Sequence, residues 1–178
     1  MKNNEKIQSK CFQEISNEIL FTSVFNNTND KCTWETSMIR NYLNGDFLSL
    51  VFNEDEQNLI ADTKVSADDA TIDIDYYGYI PVQAENTVDK FFLLSGKDCI
   101  EYNVPIHAYF EVAEMRTRVS WWLRTTVKKE WDDFYDGSRQ EEYFAECVDA
   151  YDKFDNLVVN PVDDANIGVR PAMWITVD

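Results

Sequence analysis

The residues best suited to chemistry in this chain are oxygen donors. Asp163-Asp164-x-Asn166 gathers three of them just ahead of an apolar C-terminal segment. Calcium takes about six to eight oxygen ligands from carboxylates and carbonyls, so this trio is a candidate share of a calcium shell. Asp132-Asp133-x-x-Asp136 and Asp73-x-Asp75 are further candidates. None has the spacing of an EF-hand loop. The plainer reading of all three is solvated acidic loop.

Aromatic side chains sit in the same stretches. Trp131, Phe134 and Tyr135 lie in one, and Tyr76, Tyr77 and Tyr79 follow the other. Such rings can stack on sugars, or they can anchor long loops to the body of a protein. Trp131, Phe134 and Tyr135, with Asp163, Asp164 and Asn166, therefore form the candidate ligand-binding set.

Two arginines stand among large apolar residues, in Trp121-Trp122-Leu123-Arg124 and in Val169-Arg170-Pro171-Ala172-Met173-Trp174-Ile175. A guanidinium buried without a partner is costly, so each needs an organised environment. Strand alternation places Trp122 with Arg124, and Arg170 with Ala172 and Trp174. Arg124 and Arg170 are expected to be structural, paired to a carboxylate or to backbone carbonyls, with Glu35 a candidate partner. The functional alternative is an anion-binding pair.

Enzyme signatures are weak. His107 is the single histidine and has no nucleophile motif beside it. No G-x-S-x-G, P-loop or dinucleotide fingerprint occurs, and no catalytic residue is assigned. Cys11, Cys32, Cys99 and Cys147 are widely spaced, with no C-x-x-C and no zinc-ligand spacing. Free, mostly buried thiols are expected, the alternative being two disulfides in an exported protein.

These residues must be held by a scaffold, and composition describes it. The chain has 178 residues, 44% hydrophobic and 14% aromatic, which suits one domain with a sizeable, sheet-rich core. Net charge is −17, which argues against nucleic acid and anionic membrane surfaces as partners. Residues 54–75 carry −7 and residues 130–164 carry −10, so the whole excess lies in two windows on an otherwise neutral chain. No apolar run nears the roughly 20 residues of a membrane span, and the first ten residues are polar. The expected compartment is cytoplasmic by default, or extracellular if a signal was trimmed.

Periodicity and capping signals place the elements. Residues 1–10 read as a loosely attached tail, and Cys11 to Ile15 as a short strand. Thr33 to Asn44 reads as a helix capped by Thr33 or Asp30 and closed by Gly45. Phe47 to Phe52 continues it. Asn53 with Glu56 predicts a capped helix to Ile60 that buries Leu59 and Ile60. Thr63 to Gln83 reads as loop, Asp89 to Ser95 as a buried strand, and Ser95 caps a helix through Tyr102. His107 to Arg118 reads as a short helix with Ala108, Val112 and Met115 inward. Trp121 to Thr126 is a strand, followed by an acidic, aromatic region from Lys128 to Tyr151. Strands at Leu157–Val159 and Val169–Val177 close the chain around a turn at Asn160–Asn166. The class is α+β: two or three short helices packed on a small, mostly antiparallel sheet with long loops.

Five segments occur in a recognisable order. They are Thr33-Trp34-Glu35-Thr36-Ser37-x-x-Arg40-x-x-Leu43-Asn44, Phe52-x-x-Asp55-Glu56-Gln57-x-x-Ile60, Asp89-Lys90-x-Phe92-Leu93-Leu94-Ser95, Trp121-Trp122-Leu123-Arg124 and Val169 to Ile175. Together, over roughly residues 12–177, they resemble an uncharacterised bacterial family, the domain of unknown function numbered 6273. The resemblance implies a C-type-lectin-like fold akin to that of the formylglycine-generating enzyme, with paired terminal strands, two helices against them and a small sheet with long loops. On that scaffold residues 11–178 form one domain with an acidic insertion at about 128–166. Two features depart from the family pattern: the opening strand is reduced to Cys11–Ile15, and Trp-Trp-Leu-Arg runs into Thr125-Thr126-Val127-Lys128-Lys129 rather than Ser-Pro and glycines. The function expected is a non-enzymatic binding module for carbohydrate or protein. The alternatives are a divergent enzyme or a calcium-dependent lectin.

Overall fold

The computed structural model describes residues 10–67, 70–71, 77–104, 109–112, 115–149 and 157–177. In chain order these form β1 (Lys10–Ile15), β2 (Phe21–Thr22), α1 (Met38–Tyr42), a π-helical turn (Leu43–Phe47), α2 (Leu48–Val51), α3 (Glu54–Leu59), β3 (Thr63–Val65), β4 (Ile80–Pro81), β5 (Thr87–Asp89) and α4 (Gly96–Glu101). They continue with β6 (Tyr109–Val112), β7 (Met115–Arg118), β8 (Trp121–Asp132), β9 (Arg139–Val148), β10 (Leu157–Pro161), β11 (Gly168–Val169) and β12 (Ala172–Val177). The protein is α+β, mostly sheet, with three short helical stretches. His107, Ala108, Asp73, Asp75, Tyr76 and nearly all of the expected tail lie outside the described residues.

The main sheet runs β10-β9-β8-β11-β2, with β4 on the β11 side of β8. The two arginine-bearing segments are neighbours in it: Gly168 pairs in parallel with Trp121. A Cβ on Gly168 would meet the Ile19 side chain at 2.7 Å, so the close approach there requires glycine. The chain ends pair antiparallel, from Lys10↔Val177 to Ile15↔Ala172. Bridges from Ile60 to Ile175 and from Phe92 to Ala172 fasten the other side of β12. Trp121, Trp122, Leu123, Phe25, Leu93 and Leu94 form the centre of the core, each almost wholly buried.

Capping chemistry sets the helix bounds. Thr33 to Thr36 close a turn of their own, Thr33 N–H donating to Thr36 Oγ1 at 3.1 Å, so the helix starts later than its apolar spacing suggests. Ser37 is the N-cap, its Oγ accepting from Arg40 N–H at 3.2 Å. Gly45 does not end the helix, because the π-helical turn carries the chain through it into α2. Asn53 and Glu56 form the expected capping box of α3. Leu59 is 54% exposed, however, and only Ile60 of the expected pair is buried. Ser95 and Asp98 form a second capping box on α4.

Three further expectations change. Tyr109–Val112 and Met115–Arg118 form two antiparallel strands, β6 and β7, in place of the expected helix. Two four-residue runs, one rich in aromatic and branched residues and separated by only two positions, outweigh a helical spacing carried by three side chains. Residues 89–95 are buried as expected except for the half-buried Lys90, but only β5 and the Phe92 bridge pair with other strands. The stretch 63–83 contributes β3, which pairs with β5, and β4, which pairs with β8.

Family-motif residues meet at a buried polar hub. Asp89 is almost fully buried and accepts from Trp34 Nε1 at 2.9 Å, Thr87 Oγ1 at 2.5 Å and Arg40 Nε at 2.8 Å. Asn44, in the π-helical turn, accepts from the N–H groups of Lys90 and Phe91 and donates to Phe91 O. Lys90 Nζ then caps α3 through Gln57 O at 3.0 Å and Ile60 O at 2.6 Å. Three consecutive residues thus clamp the helical layer to the sheet.

Candidate functional site

β8 and β9 form a long hairpin whose outer half extends away from the core. From Lys128↔Tyr143 to Asp132↔Arg139 the register is regular, and burial falls steadily towards the tip. The region expected as an acidic loop after Lys128 is therefore largely strand. Alternation around Asp136-Gly137, a strong hairpin-turn pair, was the signal for it.

The tip is an ordered turn. Asp133 N–H donates to Ser138 O at 2.7 Å, and Gly137 N–H donates to Asp133 O at 2.9 Å. Asp133 Oδ1 accepts from Tyr135 N–H, and Asp136 Oδ1 from Ser138 N–H, both at 2.8 Å. The Ser138 hydroxyl and backbone N–H hold the Asp136 carboxyl below its usual range. Gly137 has φ of 69°, the left-handed conformation that favours glycine. This turn presents Phe134, 95% exposed, and Tyr135, 93% exposed. Their rings meet edge to face, 5.7 Å apart at 84°. Trp131, on the last turnward stretch of β8, is 45% exposed. Phe134 and Tyr135 are too exposed to anchor a loop to the body.

The hairpin has two different faces. Lys128, Glu130 and Asp132 share one with Arg139, Glu141 and Tyr143. Glu130 stands opposite Glu141, a repulsive pairing on its own. Lys128 Nζ bridges the two, at 2.5 Å from Glu130 and 3.2 Å from Glu141, and Arg139 also pairs with Glu130. Hydrogen bonds from Lys128 and Arg139 hold the Glu130 carboxyl below the ordinary range. The other face carries Lys129, Trp131 and Phe144. Lys129 Nζ lies 5.6 Å from the centre of the Tyr79 ring, and Tyr79 packs edge-on against Phe144 at 5.4 Å. Tyr79 and Tyr77 continue this face into an apolar groove of about 190 Å³ beside Leu157, Val158 and Val159.

The remaining candidates fall elsewhere. Asp164 Oδ1 accepts from the backbone and side-chain amides of Asn166, at 2.9 and 3.0 Å. Asp163 Oδ1 takes Asn29 Nδ2 at 3.3 Å, and Asn29 is bonded in turn to the backbone of Tyr143. Tyr143 is five residues from the tip turn, about 17 Å along a strand, so the acidic turn and the aromatic tip are separate. Among the described residues no three His, Cys, Asp or Glu side chains gather as a metal cluster.

Both arginines are buried, Arg124 to 5% and Arg170 to 3% exposure. Arg124 pairs with the Asp98 carboxylate and donates to Leu93 O at 3.0 Å and Ser66 O at 3.1 Å. Arg170 donates to Ser16 O at 2.7 Å, and its guanidinium stacks on Trp121, 4.9 Å from the ring centre. Burial pushes the Arg170 pKa down. The carboxylate at Arg124 is thus Asp98 rather than Glu35, which lies exposed and gives Arg40 its backbone carbonyl. The ladder from β8 to β9 shifts register between Trp122 and Thr126, so Leu123, Arg124 and Thr125 have no direct partner on β9. Trp122 turns its indole N–H to Ser23 O at 2.7 Å.

Cys32, Cys99 and Cys147 are free and buried. Burial pushes Cys99 and Cys147 up to about 12 and Cys32 to about 11, which leaves thiols rather than thiolate nucleophiles at neutral pH. A hollow of about 620 Å³ between β2 and α1, bounded by Phe21, Met38 and Tyr42, contains one carboxylate, Asp46.

Fold and surface together define a small α+β protein with a clamped helical layer and a protruding, charged and aromatic hairpin. The chain belongs to the family described as domain of unknown function DUF6273, whose family model matches residues 7–177. No curated protein and no solved structure matches it.

Proposed function

We propose that the chain is a binding module that docks a protein partner through the tip of the β8–β9 hairpin. The observation that carries this reading is the nearly complete exposure of Phe134 and Tyr135 on an ordered turn. Exposed apolar residues are common singly, but adjacent rings fixed at an apex, with Trp131 beneath, are the type of anchor that interfaces use. Edge-to-face rings form a wedge that fills a pocket. A flat, coplanar platform would suit a sugar chain better. Three acids and one arginine in residues 132–139 favour a partner pocket with a basic rim. The scaffold is proposed to be C-type-lectin-like, supported by the pairing of β1 with β12 and by helices held against the sheet.

A photo-crosslinking residue at position 134 tests the reading in its native host. A discrete protein adduct is expected, and Tyr135→Ala in the same chain should weaken it about 30-fold, the loss of one interface anchor. Binding on a glycan array that is lost in Phe134→Ala, with no protein adduct, would assign the tip to carbohydrate instead. Adducts to lipid alone would assign it to a membrane surface.

A further inference from the structure

The hollow between β2 and α1 measures about 620 Å³, within the range of about 300–1,000 Å³ that organic ligands occupy. Met38, Tyr42 and Asp46 recur every four residues through α1 and the π-helical turn, and together they line one side of it. Phe21 lines it from β2. The rings of Phe21, Tyr42 and Phe47 lie 5.6 to 6.1 Å from one another, and Phe47 meets the buried Phe91 edge-on at 5.5 Å. The aromatic wall is therefore braced from the core. Tyr42 is 38% exposed and Asp46 is exposed, so both are open to a ligand. Gly45 lies in the same wall. It does not take the left-handed conformation, and a Cβ there would meet nothing within 4 Å. Neither backbone nor packing calls for glycine at this position, and glycine is a poor residue inside a helix. What its bare Cα keeps is the volume of the hollow.

We propose that this hollow binds a small organic monocation, an ammonium group on an apolar stem, with Asp46 as its counter-ion. A carboxylate and aromatic rings together are the combination that holds an ammonium, the more so where water is partly excluded. One carboxylate matches one positive charge. Arg40, the cation of α1, is engaged by Asp89 and by Glu35 O, and no cation among the described residues pairs with Asp46. Phe21, Tyr42 and Met38 give the stem an apolar bed. The net charge of −17 draws cations to the protein as a whole. This site is independent of the hairpin tip.

Saturation-transfer NMR titrations of the whole chain test the proposal. The probes are choline, benzylamine and phenylethylamine, the last two set against their neutral counterparts benzyl alcohol and phenylethanol. At least one cation should bind the native protein, and an amine should bind about tenfold or more tighter than its alcohol. Asp46→Asn, at an exposed position, should bring the amine down to the affinity of the alcohol. Gly45→Leu should fill the hollow and abolish binding, yet melt no lower than the native protein, since its side chain enters open space. Phe134→Ala should change nothing. Preference for Nα-acetyl-lysine amide over all three cations would overturn the small-molecule reading and assign the hollow to a partner's lysine. The proposal also fails if no cation binds, if the alcohols bind as tightly as the amines, or if Asp46→Asn or a folded Gly45→Leu binds as the native protein does.

Discussion

The Asp89 hub and the β8–β9 hairpin solve opposite problems with the same residue types. At the hub a carboxylate is taken out of water and given three donors, from Trp34, Thr87 and Arg40. On the hairpin, Glu130 faces two cations, Lys128 and Arg139, at a surface that water shares. Aromatic rings differ in the same way. Trp34 spends its N–H on Asp89 and packs against Phe25, whereas Phe134 and Tyr135 touch mainly each other and solvent. A buried ion pair punishes loss of either partner, while an exposed one contributes little. The hub is therefore where sequence must be kept for the fold, and the hairpin is where it can change without unfolding the chain.

The largest effect that tests this contrast is expected from Asp89→Ala. It strands the Arg40 guanidinium and the Trp34 N–H, and should cost about 3–5 kcal/mol in chemical denaturation. A loss below about 1 kcal/mol would show that the hub is not the fastening it is taken for. Arg124→Met should come next, at about 3 kcal/mol, because it removes a buried cation and leaves the Leu93 and Ser66 carbonyls without their donor. Asp98 lies nearer solvent than Arg124 and can rehydrate, which holds the loss below that at Asp89. An Arg124→Met protein that folds with undiminished stability but loses a ligand would make Arg124 a binding residue instead.

How much of this was legible in the sequence depended on whether the signal was local. The capping boxes at Asn53–Glu56 and Ser95–Asp98 are four-residue patterns, and both stand where they were read. The α+β class followed from periodicity and composition. The start of α1 was misplaced because Thr33 and Thr36 hydrogen-bond each other before Ser37 caps the helix. The partner of Arg124 was misassigned because a contact with Asp98, 26 residues away, leaves no periodic trace. Trp34, Arg40 and Asp89 lie in the family motifs and Thr87 just outside them, yet nothing in one chain says that they converge. The hairpin was hidden by its charge: alternation of Lys, Glu and Trp reads as solvated loop unless Asp136-Gly137 is given weight. Tyr135 and Phe134 were picked out as binding candidates by type, but only the turn geometry shows how far they project.

The smallest effect is expected on the charged face of the hairpin. Glu130→Gln should leave the melting temperature nearly unchanged, since Arg139 stands largely in solvent and Lys128 keeps Glu141 as a partner. The local consequence should be clearer. The Glu130 carboxyl is held below the ordinary range, so its contribution is present at neutral pH and is lost as pH falls through that depressed pKa. Glu141 shifts the same way, through Tyr143 and then Lys128. Amide exchange in 128–142, corrected for intrinsic rate, should therefore quicken as pH drops below the carboxylate range, and do so earlier than exchange in 121–124. In Glu130→Gln that acid-dependent step should shrink, because one of the two titrating groups is gone. Raised salt at neutral pH should quicken the same amides by screening the pairs. If 121–124 and 128–142 instead loosened together at one pH, the hairpin would be part of the same cooperative unit as the core. The division between a fixed hub and a changeable hairpin would then fail, whatever the tip binds.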